Sequence, residues 1–140
     1  MKLTIQQTDV IKVEFTVVGS KSKLLMLYVD ESVEKIKEKN SEQVDDMDLE
    51  NAENHHFVFK LPDYGDINSI MQKTVVTENE NVKIDISGAR FVKMATLIKS
   101  WSLRNGEKEL VVTDDNIKTL NPILAGYIGD KLDEMTNFDN

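Results

Sequence analysis

The chain has no cysteine, and only two prolines, two histidines and one tryptophan among its 140 residues. Without thiols there is no disulfide framework, no thiolate metal site and no thiol nucleophile, a composition that fits a reducing cytoplasm. Long hydrophobic runs are missing too. Between Met1 and Phe15 polar residues interrupt every apolar stretch before it reaches the length of a signal-peptide core, so no secretion signal is expected. The longest run, Leu24 to Val29, falls far short of the roughly 20 residues that cross a bilayer, so no membrane partner is expected. Positive charge is scarce: 17 basic against 25 acidic residues leave a net charge of -8. The imbalance is concentrated between Asp30 and Asn54, where the only basic residues are Lys35, Lys37 and Lys39. A chain without a basic face gains nothing from releasing counterions off a phosphate backbone, which excludes nucleic acid as an expected partner.

What is present describes a folded domain. Apolar residues make up 40% and charged residues 30%, near the globular average, and the length suits one hydrophobic core. The expectation is a single α+β domain over 1–140: an N-terminal antiparallel β-hairpin or small sheet packed with a C-terminal bundle of three to four helices. Residues 1–62 read as β-rich, with an acidic, mobile segment at 30–54. Residues 66–135 read as helical.

The periodicities carry that division. From Val10 to Val18, Ile11, Val13, Phe15 and Val17 alternate with polar residues, the two-residue period of a strand. Gly19 to Ser22 supplies a turn, and Lys23 to Val29 reads as a second strand buried on both faces. Met1 to Gln6 is expected to add an edge strand. Over 30–54 the apolar residues Val33, Ile36, Val44, Met47 and Leu49 are too sparse for a convincing helical stripe, so the segment reads either as a weak surface helix followed by an acidic loop or as a flexible excursion. His56 to Leu61 resumes β character, and Asp66 caps a short helix carrying Ile67, Ile70 and Met71. Between Gly88 and Leu103, Phe91, Met94, Ala95, Ile98 and Trp101 recur at three- and four-residue steps, predicting one long helix. Arg104 to Glu107 has turn chemistry, Thr113 caps a helical turn, and Asn121-Pro122 opens the last helix before a frayed tail at 136–140.

No constellation of reactive side chains stands out. His55 and His56 are neighbours, and adjacent side chains on a strand face opposite ways, so they do not converge on a metal and read as surface histidines at a loop–strand junction. The stretch from Asp46 resembles a calcium loop only superficially, because Asn51 stands at the glycine position and Phe57 at the bidentate glutamate position. No catalytic, cofactor-binding or metal-binding residue is assigned, and no enzymatic activity is expected.

Two stretches carry a resemblance: FVFKLPDYGD, and after it IKSWSLRNGEKELVVTDDNIKTLNPILAGYIGDKL. Together they are similar to small tailed-bacteriophage proteins of the tail assembly chaperone kind. The shared features are Leu61-Pro62 ending a strand, Trp101 near a helix end, Asn105-Gly106 in a polar hairpin, Val112-Thr113 with Asn116-Ile117 at a helix start, and a final helix from Pro122 to Leu132. The resemblance covers roughly the C-terminal 80 residues and leaves the β-rich start aside. It implies a non-enzymatic assembly factor in the host cell cytoplasm that binds the tape-measure or tail-tube protein and shields apolar surface before assembly. The binding surface expected on this reading is the outward part of the C-terminal helices at Trp101, Ile117, Leu120, Leu124, Tyr127 and Ile128. Other readings are a virion structural protein of neck, tail or baseplate, and an acidic regulator or inhibitor of a host protein. A homo-oligomer is compatible with each.

Overall fold

In the computed structural model, residues 3–19, 25–28, 33–39, 42, 44–78, 81–84 and 86–136 are described. They form a mixed α+β structure around a four-stranded antiparallel sheet. Strand β1 (Val10–Gly19) sits between β2 (Leu25–Tyr28) and β3 (Glu53–Lys60), and β3 carries β6 (Ile98–Trp101) on its far side. The alternation read in β1 sets the two faces. Val13, Phe15 and Val17 turn toward one core with Phe57 and Phe59 of β3, and Val18 turns the other way. β2 carries side chains into both layers, as its continuous apolar run predicts, but it does so at the sheet's edge and all four residues are half-buried. Residues 3–6 form no strand, and residues 1–2 of the expected extra strand lie outside the described residues, as do 20–22 of the expected turn and 137–140 of the expected tail.

Of the two readings of the acidic segment, its described residues carry the helical one. Helix α1 (Val33–Lys39) and helix α2 (Asp46–Glu50) lie within it, and Ile36, Val44 and Leu49 pack with Val18 in a small second core. Residues 30–32, 40–41 and 43 of this segment lie outside the described residues. Three apolar residues are too few for a stripe, yet they suffice to cover one corner of a sheet. Asp45 caps α2 by accepting from the Asp48 N–H at 2.8 Å, and Asp48 accepts in return from the Asp45 N–H at 3.1 Å, which satisfies two amides a short helix otherwise leaves unpaired.

The C-terminal part is less purely helical than its periodicity suggests. Helix α3 (Tyr64–Thr74) is capped by Asp63 rather than Asp66, with Asp66 three positions on completing the reciprocal box. A separate two-stranded hairpin follows, β4 (Val75–Glu78) with β5 (Asn81–Ile84). Helix α4 (Ile86–Leu97) then stops where the sequence predicts continuation, and Ile98 to Trp101 becomes β6. Ile98 and Trp101 are buried and Lys99 and Ser100 exposed, a spacing that satisfies a helix and this bulged strand alike. Pairing of Phe57 with Trp101 decides for the strand. The tight turn between β7 (Arg104–Asn105) and β8 (Lys108–Glu109) uses Gly106 at φ 66°, a left-handed backbone that glycine adopts without a Cβ penalty. Thr113 caps α5 (Asp114–Lys118), and Asn121 accepts from the Ile123 N–H at the start of α6 (Pro122–Thr136), both as the sequence predicts. Among the described residues no helix is long and apolar enough to cross a membrane.

Candidate functional site

The residues expected to face a client are largely interior. Trp101, Ile117, Leu124 and Ile128 are buried in the main core, and Leu120 and Tyr127 pack half-buried against it. The apolar stripe of the C-terminal helices is therefore consumed by the sheet it covers, which corrects the expected contact surface. Trp101 packs against Phe57 at 5.4 Å between ring centroids with the rings tilted by 60°, and its Nε1–H donates to the Leu110 carbonyl at 2.5 Å. A tryptophan with both its ring and its donor satisfied inside the molecule is a core residue.

The two histidines diverge, as alternation requires, and both are half-buried rather than exposed. His55 turns to the core face beside Phe15, with 16% of its side chain exposed. Its Nδ1 lies 2.9 Å from the Ser102 Oγ and its Nε2 3.2 Å from a Glu53 carboxylate oxygen. The same Ser102 oxygen accepts the His56 backbone N–H at 2.9 Å, while the Ser102 N–H donates to the His56 carbonyl at 3.0 Å. The hydroxyl thus takes the place of a ladder carbonyl and closes the β3–β6 pairing. Sequence reading missed this Glu53–His55–Ser102 chain because its serine is remote from the other two residues, and only the strand register brings them together. No local motif signals it. Among the described residues no group of three or more acidic, histidine or cysteine side chains is placed to hold a metal.

Exposed apolar side chains gather elsewhere. The segment Leu3 to Ile5 and the start of α3 enclose a groove of about 630 Å³ lined chiefly by Leu3, Ile5, Pro62, Tyr64 and Ile67. Leu3 is 86% and Tyr64 88% exposed. Backbone and side-chain bonds hold both walls. The Gln6 N–H donates to Asp9 Oδ2 at 2.6 Å, the Leu61 N–H donates to the Asp9 carbonyl at 2.9 Å, and Lys99 Nζ reaches the Gln7 carbonyl at 3.0 Å. On α3 the inward face carries Ile70 and Thr74, which spends that part of the helix on the core. Two turns past Tyr64, Met71 stands on the same outward face and is also exposed.

An ion-pair network of one lysine and two aspartates fixes the groove's wall and leaves it net negative. Lys60 Nζ bonds Asp66 at 2.6 Å and Asp63 at 3.2 Å beneath the first turn of α3. The bond to Asp66, working against burial and aided by Asp63, raises the Lys60 ammonium above its ordinary value. The Asp66 backbone N–H and then Lys60 hold the Asp63 carboxyl below its own. A second network ties α4 to α6: Arg90 bonds Asp130 at 2.7 Å and Asp133 at 3.1 Å, and Lys93 bonds Asp133 at 2.9 Å. These bonds to Asp130 and Asp133 raise the Arg90 guanidinium. Burial pushes the Asp133 carboxyl up, but the bonds from Lys93 and Arg90 outweigh it and leave the group below its ordinary value. Both networks brace helices. Comparison with protein-family models, with curated proteins and with solved structures finds no match for this chain.

Proposed function

We propose that this protein binds another polypeptide, holding an apolar segment of it in the groove between residues 3–5 and the start of α3. In this reading α3, α4, α5 and α6 form the bundle that backs the sheet and presents the groove. The observation that carries it is the exposure of Leu3 and Tyr64 on facing walls of one apolar groove whose backbone is pinned at both sides. A large aromatic held that far into solvent has no part in the molecule's own core, and such residues are the usual anchors of protein contacts.

The resemblance of the C-terminal part supplies the narrower reading: an assembly chaperone for a phage tape-measure or tail-tube protein, acting in the host cytoplasm. Pro62 and the start of α3, which carry part of that resemblance, also line the groove. The test is co-expression of the chain with the tape-measure and tail-tube proteins of its phage, beside a Tyr64→Ser variant. Recovery of either client that falls at least tenfold in the variant supports the proposal. Equal recovery with the variant, or recovery of neither client, overturns it.

A second reading, an acidic regulator of a basic protein, is favoured by α2, where Asp46 and Glu50 are exposed around an exposed Met47. Its mark is a complex that dissociates as salt is raised. A groove complex held by apolar contact persists.

A further inference from the structure

Helix α3 divides its surface between three tasks. Ile70 and Thr74 are buried, and Ile67 lines the groove beside Leu3 and Ile5. Tyr64, Asn68, Met71 and Val75 are all exposed, Val75 being the residue that ends the helix. They recur at steps of four, three and four, the spacing that lines side chains up along one helix face. At about 1.5 Å of rise per residue this stripe runs roughly 16 Å past the groove's edge. Only Asn68 interrupts its apolar character. Charge stands at one end: among the described residues, Asp63 is the one charged side chain lining the groove, and together with Asp66 it outnumbers Lys60. Gly65 and Gln72, beside the stripe, are uncharged, and Lys73 stands half a turn round from Tyr64.

We propose that the segment held in the groove is an amphipathic α-helix of a partner protein, laid antiparallel along the outward stripe of α3, with a lysine or arginine of its last turn against Asp63. This rests on the groove reading and narrows it. A helix presents its own side chains at the same steps, so its apolar face meets Tyr64, Met71 and Val75 in turn and drops one large residue between Tyr64 and Leu3. An extended segment turns alternate side chains to opposite faces and matches no such spacing. Direction follows from charge. The carbonyl end of a helix favours a cation, and in the antiparallel arrangement that end lies over the net negative wall. A parallel helix would bring its amino end, where acidic side chains are favoured, to Asp63.

Two synthetic helical peptides of identical composition, with leucines at steps of three and four, test it. One carries a pair of lysines in its last turn and the other in its first. A third repeats the former with a central proline, which breaks the helix. Equal composition in the first two cancels the attraction of a chain of net charge -8 for any cation. Fluorescence anisotropy of the labelled peptides should show the last-turn peptide binding at least tenfold tighter than either of the others. Asp63→Asn keeps a capping side chain at the start of α3 and should bring the two lysine orders within twofold of each other. Met71→Ser, outside the groove, should weaken the last-turn peptide at least fivefold. Equal binding of the two orders, a difference that persists in Asp63→Asn, or undiminished binding of the proline peptide overturns the proposal. If Tyr64→Ser abolishes binding in those cases, the groove reading survives. Binding untouched by Tyr64→Ser overturns the groove reading itself, and failure of every peptide to bind overturns the helix while client recovery still judges the groove. A chain that dimerises through Met71 gives the stripe to a second copy and overturns the proposal as well.

Discussion

Phe57 and Phe59 project from β3 into one face of the sheet, where α4, α5 and α6 close over them, while Val18 projects from β1 into the other, where it packs with Ile36 of α1, Val44, Leu49 of α2 and the β2 residues Met26 and Tyr28. The first layer joins residues from Val13 to Met135, so its contacts span nearly the whole chain. The second joins residues from Val18 to Ala52 and is local. It also lies in the most acidic stretch of the sequence, where Lys37 with Asp46 is a cross-helix ion pair between α1 and α2. Long-range interlocking makes the first layer open only when the molecule unfolds, whereas a local layer under its own charge repulsion opens by itself.

The largest expected effect tests the first half of that comparison. Phe57→Ala removes a fully buried ring that touches Phe15, Phe59 and Trp101 and should cost about 3–5 kcal/mol in denaturant unfolding, with both layers lost in one transition. Separate transitions for the two layers in this variant would break the idea that the large layer governs the whole. Val44→Ala probes the other side, at about 2 kcal/mol from lost methyl burial. Native-state hydrogen exchange should quicken in α1 and α2 and leave β3 and α4 nearly unchanged. Uniform quickening throughout would show that the corner is not independent.

Ser102→Ala is expected to cost about 1–2 kcal/mol, because the buried side of the ladder loses the oxygen that the His56 N–H donates to. The loss should appear as faster exchange at His56, read by nuclear magnetic resonance. The smallest effect is titration of the helix brace. Asp133 is held below its ordinary value of 3.8, so its contribution is complete above that pH and disappears as pH falls through the lower folded value. For this half-exposed group the loss should be about 0.5 kcal/mol, and Asp133→Asn should flatten the fall in stability below pH 4. Lys60 works in the opposite direction: its contribution is complete below 10.5 and is lost as pH rises through its raised folded value. An unchanged acid limb in Asp133→Asn would remove the brace from the account.

Much of this was legible from local chemistry. The alternation at Val13, Phe15 and Val17 marks the core face of β1, Asn121-Pro122 marks the start of α6, and Thr113 marks α5, since strands and caps are written by residues a few positions apart. The hairpin β4–β5 went unread, and the groove escaped notice because its walls, Leu3 and Tyr64, are joined only through the folded backbone.

The sequence alone determined where chain segments alternate, begin and stop, and that the molecule is acidic and without thiols, because those properties reside in single residues and their near neighbours. Tertiary structure decided the rest. Ile98 to Trp101 fits a helix and a strand equally until β3 offers its ladder, and Trp101, Ile117, Leu124 and Ile128 are interior only because a sheet assembled from distant segments lies beneath them.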